Sequence, residues 1–363
     1  MYNAKPNFSD DYQESRAKFL AAMSKRGEVI SIRHPKKGPD GQDLYLDFGI
    51  IGPDDARGAL ILISGTHGPE IFAGSGPQAA LLNSGLINDY ADLRVILVHA
   101  HNPYGCAWLR RTDHNNIDLN RNYYDFSKPF IPHPGYDVLR PVMVPTEWDS
   151  VALGKGLADY EAQHGKVGLL AAMVTGQSHD PDGMFFRGEG PAWSHIQMKD
   201  VLPKLTKTQD IVSVIDFHTG LGPYGVPYMV HGYEPGSSEF IAFKKAYEGE
   251  VRSTMDPADI DEDLPGSPEG PIVLGMKALL PGKQSYAVVI EYGTVPPEQV
   301  FGTLMHDNWM HAHGTPGTDE WNAVKQNVRE VFYPREDKWK DMIWERAVWA
   351  IERSAKLARG NFD

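Results

Sequence analysis

Cysteine is almost missing from this sequence: Cys106 is the only one in 363 residues. No intrachain disulfide can form, and a reducing compartment, most simply the cytoplasm, is expected. A lone thiol of this kind suits packing better than nucleophilic work. Long apolar runs are missing too. None approaches the ~18 residues of a membrane span, and the start, MYNAKPNFSDDYQESR, is polar and acidic, unlike a signal peptide. Positive charge is scarce: 35 Lys and Arg against 48 Asp and Glu leave a net charge of −13. That balance disfavours nucleic acid or an anionic membrane as the main partner. One arginine in a cleft can still hold a small anion. Internal repeats and low-complexity tracts are absent. No Gly-x-Ser-x-Gly elbow occurs, so a serine hydrolase finds no support.

What the chain does have is core material. Hydrophobic residues make up 41%, including 16 Tyr, 14 Phe and 8 Trp, enough for a large interior. Length alone suggests two or three domains, but α/β enzymes often use it for one domain with insertions. The expected fold is α/β: a mixed, largely parallel twisted sheet with helices on both faces, in one domain spanning 1–363. Residues 1–57 are expected to give an N-terminal helix and strands, 58–295 the core, and 296–363 C-terminal helices.

Ser9 opens a helical pattern with Tyr12, Arg16, Phe19, Leu20 and Met23 on one face, closed by Gly27. Short strands are expected near Val29–Ile32 and Leu44–Phe48. Buried strands follow at Leu60–Ser64, Val95–Val98, Ile211–Phe217 and Tyr286–Ile290, with a helix over 71–82 joining the first two. That order implies a parallel pair and a right-handed crossover. Two insertions, 123–210 and 219–284, are expected to be loop-rich walls, the first holding a helix near Trp148–His164. A tail helix over 336–359 carries Trp339, Ile343, Trp344, Val348, Trp349 and Ile351. These cover more than the ~100° stripe of a surface helix. The helix is therefore expected in its own core or at a homo-oligomer contact, the latter favoured because terminal helices sit readily at a surface.

The four buried strands end in polar or Gly-rich sequence, and that edge is where open α/β sheets bind ligands. His67 and Glu70 follow the first, in Gly65-Thr66-His67-Gly68-Pro69-Glu70. Pro69 argues against a helix through the pair. A tight turn can aim both at one spot, and imidazole with carboxylate suits zinc; the alternative is a solvated loop. The second strand leads to Arg110-Arg111 and Asp118-Leu119-Asn120-Arg121-Asn122. His218 ends the third and Glu291 the fourth. Two histidines and a carboxylate leave a coordination position open for water, and a further carboxylate can take that water's proton. Gly220-Leu221-Gly222-Pro223-Tyr224-Gly225 fits a dinucleotide fingerprint, but an extended segment, not a helix, is expected after it.

Taken in order, His-x-x-Glu, the arginine, Asp-Leu-Asn-Arg-Asn, Asp-Phe-His and the final Glu resemble the zinc carboxypeptidase superfamily. The Gly-Thr-His-Gly-Pro-Glu opening and the Gly176–Gly183 stretch look like its branch beside succinylglutamate desuccinylase and aspartoacylase. The resemblance covers roughly 58–295 and implies a carboxypeptidase-like fold with one zinc held by His67, Glu70 and His218. It implies Glu291 as general base, Arg111 as the group polarising the scissile carbonyl, and Asn120 with Arg121 as the binders of a substrate carboxylate. Asp118 and Asp216 are expected to support ligands or cap backbone rather than ligate. The family's assisting tyrosine has no clear counterpart; Tyr224, Tyr228 and Tyr233 are candidates.

The resulting expectation is a carboxypeptidase-type hydrolase acting on a small peptide. An N-acyl amino acid deacylase using the same site is the nearest rival. A non-catalytic binding protein is the rival of another class, though pure binding has no need for Glu291. His99, His101, His114 and His179 are expected to be loop or core histidines, not a second metal site.

Overall fold

Leu60 to Ile63 are apolar in unbroken succession, as a strand covered on both faces requires. The computed structural model describes residues 2–131, 133–261 and 270–361, and it places this strand in the middle of an eight-stranded sheet. The strands are β1 (Glu28–Lys37), β2 (Asp43–Ile51), β3 (Gly58–Ser64), β4 (Arg94–His99), β5 (Ile211–Tyr224), β6 (Pro227–His231), β7 (Arg252–Ser253) and β8 (Gln284–Gly293), in the order β1-β2-β4-β3-β5-β8-β6-β7. The central four, β4-β3-β5-β8, are mutually parallel, whereas β1–β2, β2–β4 and β6–β8 are antiparallel. The helix Ile71–Ser84 makes the crossover from β3 to β4. The fold is thus the mixed, centrally parallel α/β sheet expected from the sequence.

Alternation along the strands sorts two cores. Leu60, Leu62, Val95, Leu97, Ile215 and Ile290 point to one face, where Phe72 and Trp339 from helices meet them. Ile61, Ile63, Ile96, Val98, Val214 and Val289 point to the other, against Met198, Leu202, Ile272 and Met276. Period-two geometry carries this parity past the apolar stretch. Asp216 and His218 therefore continue the face of Val214, and Glu291 continues that of Val289. The β5–β8 register sets His218 directly beside Glu291.

Several expected boundaries move. The first helix is Tyr12–Met23, capped by Asp11, whose side chain accepts from the Glu14 amide at 2.8 Å, not by Ser9. β1 and β2 run to ten and nine residues, because each stabilises the other as an antiparallel ribbon. The helix expected to stop at His164 runs Ser150–Val174, bending at Gly165, which adopts φ +71°. The 219–284 insertion is not simply loop: it holds β6, β7 and helices Ser238–Ala246 and Ile272–Leu279. The glycines of the apparent dinucleotide motif extend β5 and lead into β6, so no helix N-terminus follows them. Among the described residues, no helix is long and apolar enough to cross a membrane.

The tail helix, Asp337–Ala358, packs into this chain's own core, one of the two placements expected for it. Trp339, Ile343, Ala347, Ala350 and Ile351 are fully covered by this chain, and Trp339 Nε1 donates to the Gly293 carbonyl at 3.0 Å. Much of its apolar circumference is thus covered from within the chain, as in a core helix. Trp339→Ala should cost about 3–5 kcal/mol, the scale for emptying a large buried aromatic site. Chemical denaturation measures it; an unchanged midpoint would mean that the helix is not part of the core.

Candidate metal centre and active-site cavity

The loop after β3 brings its two acid–base groups together by backbone geometry. Gly65 turns the chain with φ +75°, His67 stays extended, and Gly68–Glu70 form one 3₁₀ turn. Gly68 passes so close to the next loop that a Cβ there would lie 2.0 Å from the Gly105 backbone. Its amide donates to the Arg110 carbonyl at 3.2 Å. The His101 and Asn102 amides donate to Ser64 and Gly65 carbonyls, both at 2.9 Å, so the ends of β3 and β4 are stitched together.

His67, Glu70 and His218 converge with ligand atoms within 4.8 Å of one another, all three buried. His67 Nδ1 lies 3.0 Å from Glu70 Oε1, and His218 Nδ1 lies 3.1 Å from Glu70 Oε2 and 3.1 Å from His67 Nδ1. The far nitrogens are both committed to carboxylates. His67 Nε2 is 3.1 Å from Asp118 Oδ1, and His218 Nε2 is 2.6 Å from Asp216 Oδ2. A carboxylate keeps the ring proton on Nε2, which turns each Nδ1 lone pair inward. Burial opposes charge on His218, but Asp216 and Glu70 raise its pKa well above the usual imidazole value; once the Nδ1 proton is displaced, the cluster offers two lone pairs and a carboxylate to one cation. Burial opposes charge on Glu70, but His67 and His218 outweigh it and hold the carboxyl well below its usual range. Two imidazoles and a carboxylate are a donor set that fits zinc.

The supports extend outward. The Thr219 amide donates to Glu70 Oε2 at 3.0 Å. Asp118 accepts from Arg111 Nε through Oδ2 at 2.9 Å and from the Asn120 amide through Oδ1 at 2.9 Å. Burial raises the Asp118 carboxyl, yet Arg111 and His67 prevail and keep it well below the carboxylate norm. Thr66 Oγ1 donates to Asp216 at 2.8 Å and meets His101 Nδ1 at 3.0 Å, while His101 Nε2 meets the Tyr123 hydroxyl at 2.7 Å. Sequence reasoning did not single out Thr66 or Tyr123. Their only signal was position, one inside the Gly-Thr-His-Gly turn and one directly after Asn120-Arg121-Asn122.

A cavity of about 160 Å³ opens on this cluster, and His67, Arg111, Asn120, Arg121 and Glu291 all line it. Glu291 keeps one carboxylate oxygen, Oε2, buried without a hydrogen-bond partner. Burial, with Glu70 and Asp216 adding to it against His218 and Arg111, pushes its carboxyl up to about 8. Arg121 is buried, and burial pulls its guanidinium down only to about 10, so it stays charged at neutral pH. Arg121 Nε donates to the Val174 carbonyl and Nη1 to the Asn120 carbonyl, both at 2.8 Å; Nη2 donates to none of the described residues. Only the Nη1–Nη2 end of the expected fork thus remains for a ligand. Asn120 Oδ1 accepts from the Ile272 amide at 3.1 Å, which leaves the side-chain NH₂ to donate.

The three candidate tyrosines do not line the cavity. Tyr224 reaches Glu336 at the surface, and the Tyr233 hydroxyl donates to the Ser285 carbonyl. Tyr228 pairs with Glu291 across the β6–β8 ladder. The remaining histidines are dispersed. His99 meets Ser15 at 3.0 Å, His114 packs on His34, and His179 meets Asp137 at 2.8 Å; among the described residues only His67, Glu70 and His218 group as ligands.

Fold and site together define an α/β protein with a His–Glu–His cluster and a facing carboxylate at the carboxyl edge of its sheet. The chain belongs to the family described as "Protein of unknown function (DUF2817)", which matches residues 8–346. No curated protein matches the sequence. Carboxypeptidase A from Helicoverpa armigera is similar to it at 13% identity and TM-score 0.45, over 94% of this chain and 74% of that one. The ectoine utilization protein from Ruegeria pomeroyi is 15% identical with TM-score 0.38, over 84% and 67%. Succinylglutamate desuccinylase from Chromobacterium violaceum is 12% identical with TM-score 0.36, over 88% and 74%.

His218→Ala should leave the fold intact and abolish binding of a divalent metal, read by elemental analysis of the purified protein. Asp216→Asn, which weakens the hold on His218 Nε2, should lower metal affinity about 10–100-fold. Full occupancy in the His218 variant would remove the cluster from consideration as a metal centre.

Proposed function

We propose that this protein is a zinc-dependent hydrolase that cleaves an amide bond next to a free carboxylate. One observation carries the reading: Glu291, with an unpartnered buried oxygen, stands beside His218 in register, over the same cavity as both arginines. A carboxylate so placed has no structural partner to satisfy and suits proton transfer better than binding alone.

Zinc held by His67, Glu70 and His218 would supply Lewis acidity to water and to the substrate carbonyl. Glu291 takes the proton from the attacking water and returns it to the leaving amine. Arg111, fixed through Nε by Asp118, donates to the carbonyl oxygen as negative charge builds there, and one such donor is worth a few kcal/mol. Arg121, through its free end, and the Asn120 amide hold the substrate's carboxylate.

A second reading on the same machinery, an N-acyl amino acid deacylase, gains from the cavity walls. They are mainly apolar, among them Leu170, Val174, Leu221, Leu274 and Phe332, and no tyrosine of the described residues lines them.

Glu291→Gln should retain metal and lose turnover by about 10²–10⁴, the usual scale for a missing general base. Near-normal turnover would move the role elsewhere. Because the base must be ionised, kcat/KM should fall as pH drops through the Glu291 pKa. A dication beside it pulls that pKa below the value of about 8 set by burial. The pH profile of the metal-loaded protein checks this, and a flat profile from about pH 5 to 9 would contradict it. Amidating the substrate carboxylate should cost about 2–5 kcal/mol in kcat/KM, as for one partner of a buried charge pair. An amide cleaved as well as the acid would show that Arg121 does not read a carboxylate.

A further inference from the structure

We infer that the substrate's acyl group is a long unbranched hydrocarbon, seated in a groove between the helices Ser150–Val174 and Pro297–His313. This rests on the amide-hydrolase reading and names the substrate class within it: N-acyl amino acids with fatty acyl chains. Beside the metal-site cavity lies a second one of about 340 Å³, and Leu170, Pro297 and Phe301 line both. The two spaces thus share a wall made of three apolar side chains. The groove is floored by Leu153, Leu157, Leu169, Met173 and Met305, and its Ser150, Glu161 and Glu298 are exposed.

The direction follows from the anchors. With the carboxylate at Arg121 and the carbonyl at Arg111, the acyl carbons leave from the Arg111 side. Phe185 and Leu304 join Arg111 in lining both the main cavity and the small one behind it. Leu304 lies one helical turn after Phe301, which lines both spaces, so a chain held beside Leu304 has the groove within reach. A peptide placed there would bury a backbone N–H and C=O every ~3.3 Å. The aliphatic floor cannot satisfy those turned toward it, and each one left unpaired costs more than it returns. A hydrocarbon makes no such demand.

The test uses the zinc-loaded protein and N-acyl leucines with acetyl, hexanoyl, decanoyl and hexadecanoyl chains. kcat/KM is expected to rise about threefold to fourfold per added methylene until the groove is filled. The same series titrated calorimetrically into Glu291→Gln reads binding without turnover and should show the same length dependence. Gly154→Trp narrows the groove; Gly154 lines it, and a Cβ there meets nothing within 4 Å, so the helix accepts the change. Leu157→Trp, at a half-buried position, does the same from the next turn. Each variant should lower the decanoyl-to-acetyl ratio at least tenfold, with folding checked by thermal melting. A flat length profile in both hydrolysis and binding, or a steep one that neither variant changes, overturns the groove assignment. Cleavage of acetyl-leucine would in that case leave the amide-hydrolase reading standing. Length-dependent binding with no cleavage of any acyl-leucine would instead sink the activity and keep the groove.

Discussion

Asp118 brings one negative charge into a fully buried position, and most of the site hangs from it. One oxygen fixes the His67 ring through Nε2 and accepts the Asn120 amide; the other holds Arg111. A buried carboxylate left alone would be costly or protonated. Surrounded by an arginine, an imidazole and a backbone N–H, it stays ionised and becomes the common origin of three coordinates. The ring of His67, the Arg111 guanidinium and the turn that presents Asn120 and Arg121 are set by one group. Their mutual distances are then not independent, which is what a site needs when geometry errors of about 1 Å are expensive.

A second constraint, strand register, supplies the other half. His218 and Glu291 reach the same cavity because β5 and β8 are parallel and in step, with both side chains on the face of Val214 and Val289. A slip of one residue would send Glu291 to the opposite core. The apolar alternation of residues 211–217 and 286–290 therefore does more than build a sheet. It sets Glu291 beside the His–Glu–His cluster, and Asp216, two residues before His218, is brought by the same parity to the ring's far nitrogen.

This is why so much of the candidate site's arrangement was legible in sequence. Strand ends are marked by the change from apolar run to Gly and charge, and such ends meet at one edge of a parallel sheet. His67, Glu70, His218 and Glu291 could be found that way, and Arg111, Asn120 and Arg121 by resemblance. Hydrogen bonds between loops leave no period in a sequence. Nothing in residues 101 and 123 announces that His101 and Tyr123 meet, and the cost to Arg121 of two backbone carbonyls, Val174 and Asn120, was equally hidden. The groove is the extreme case. Its two helices are separated by more than a hundred residues, and each alone reads as an ordinary apolar helix. The tail helix is a related case: an all-round apolar surface does not say whose core it enters.

One coupling ties the outer helices back to the metal loop. Lys325, buried on the helix Asp319–Phe332, donates to Asp307 at 2.5 Å and to the Leu109 carbonyl at 3.2 Å. Leu109 has φ +48°, a conformation that a residue with a Cβ adopts at some cost and that the surroundings must hold. The next carbonyl, that of Arg110, receives the Gly68 amide, and Gly68 lies between His67 and Glu70. The backbone between an ion pair in the C-terminal helices and the two loop ligands is therefore continuous and hydrogen-bonded. The C-terminal helices, whose sequence carries no catalytic motif, are part of what holds His67, Glu70 and Arg111 at fixed separations.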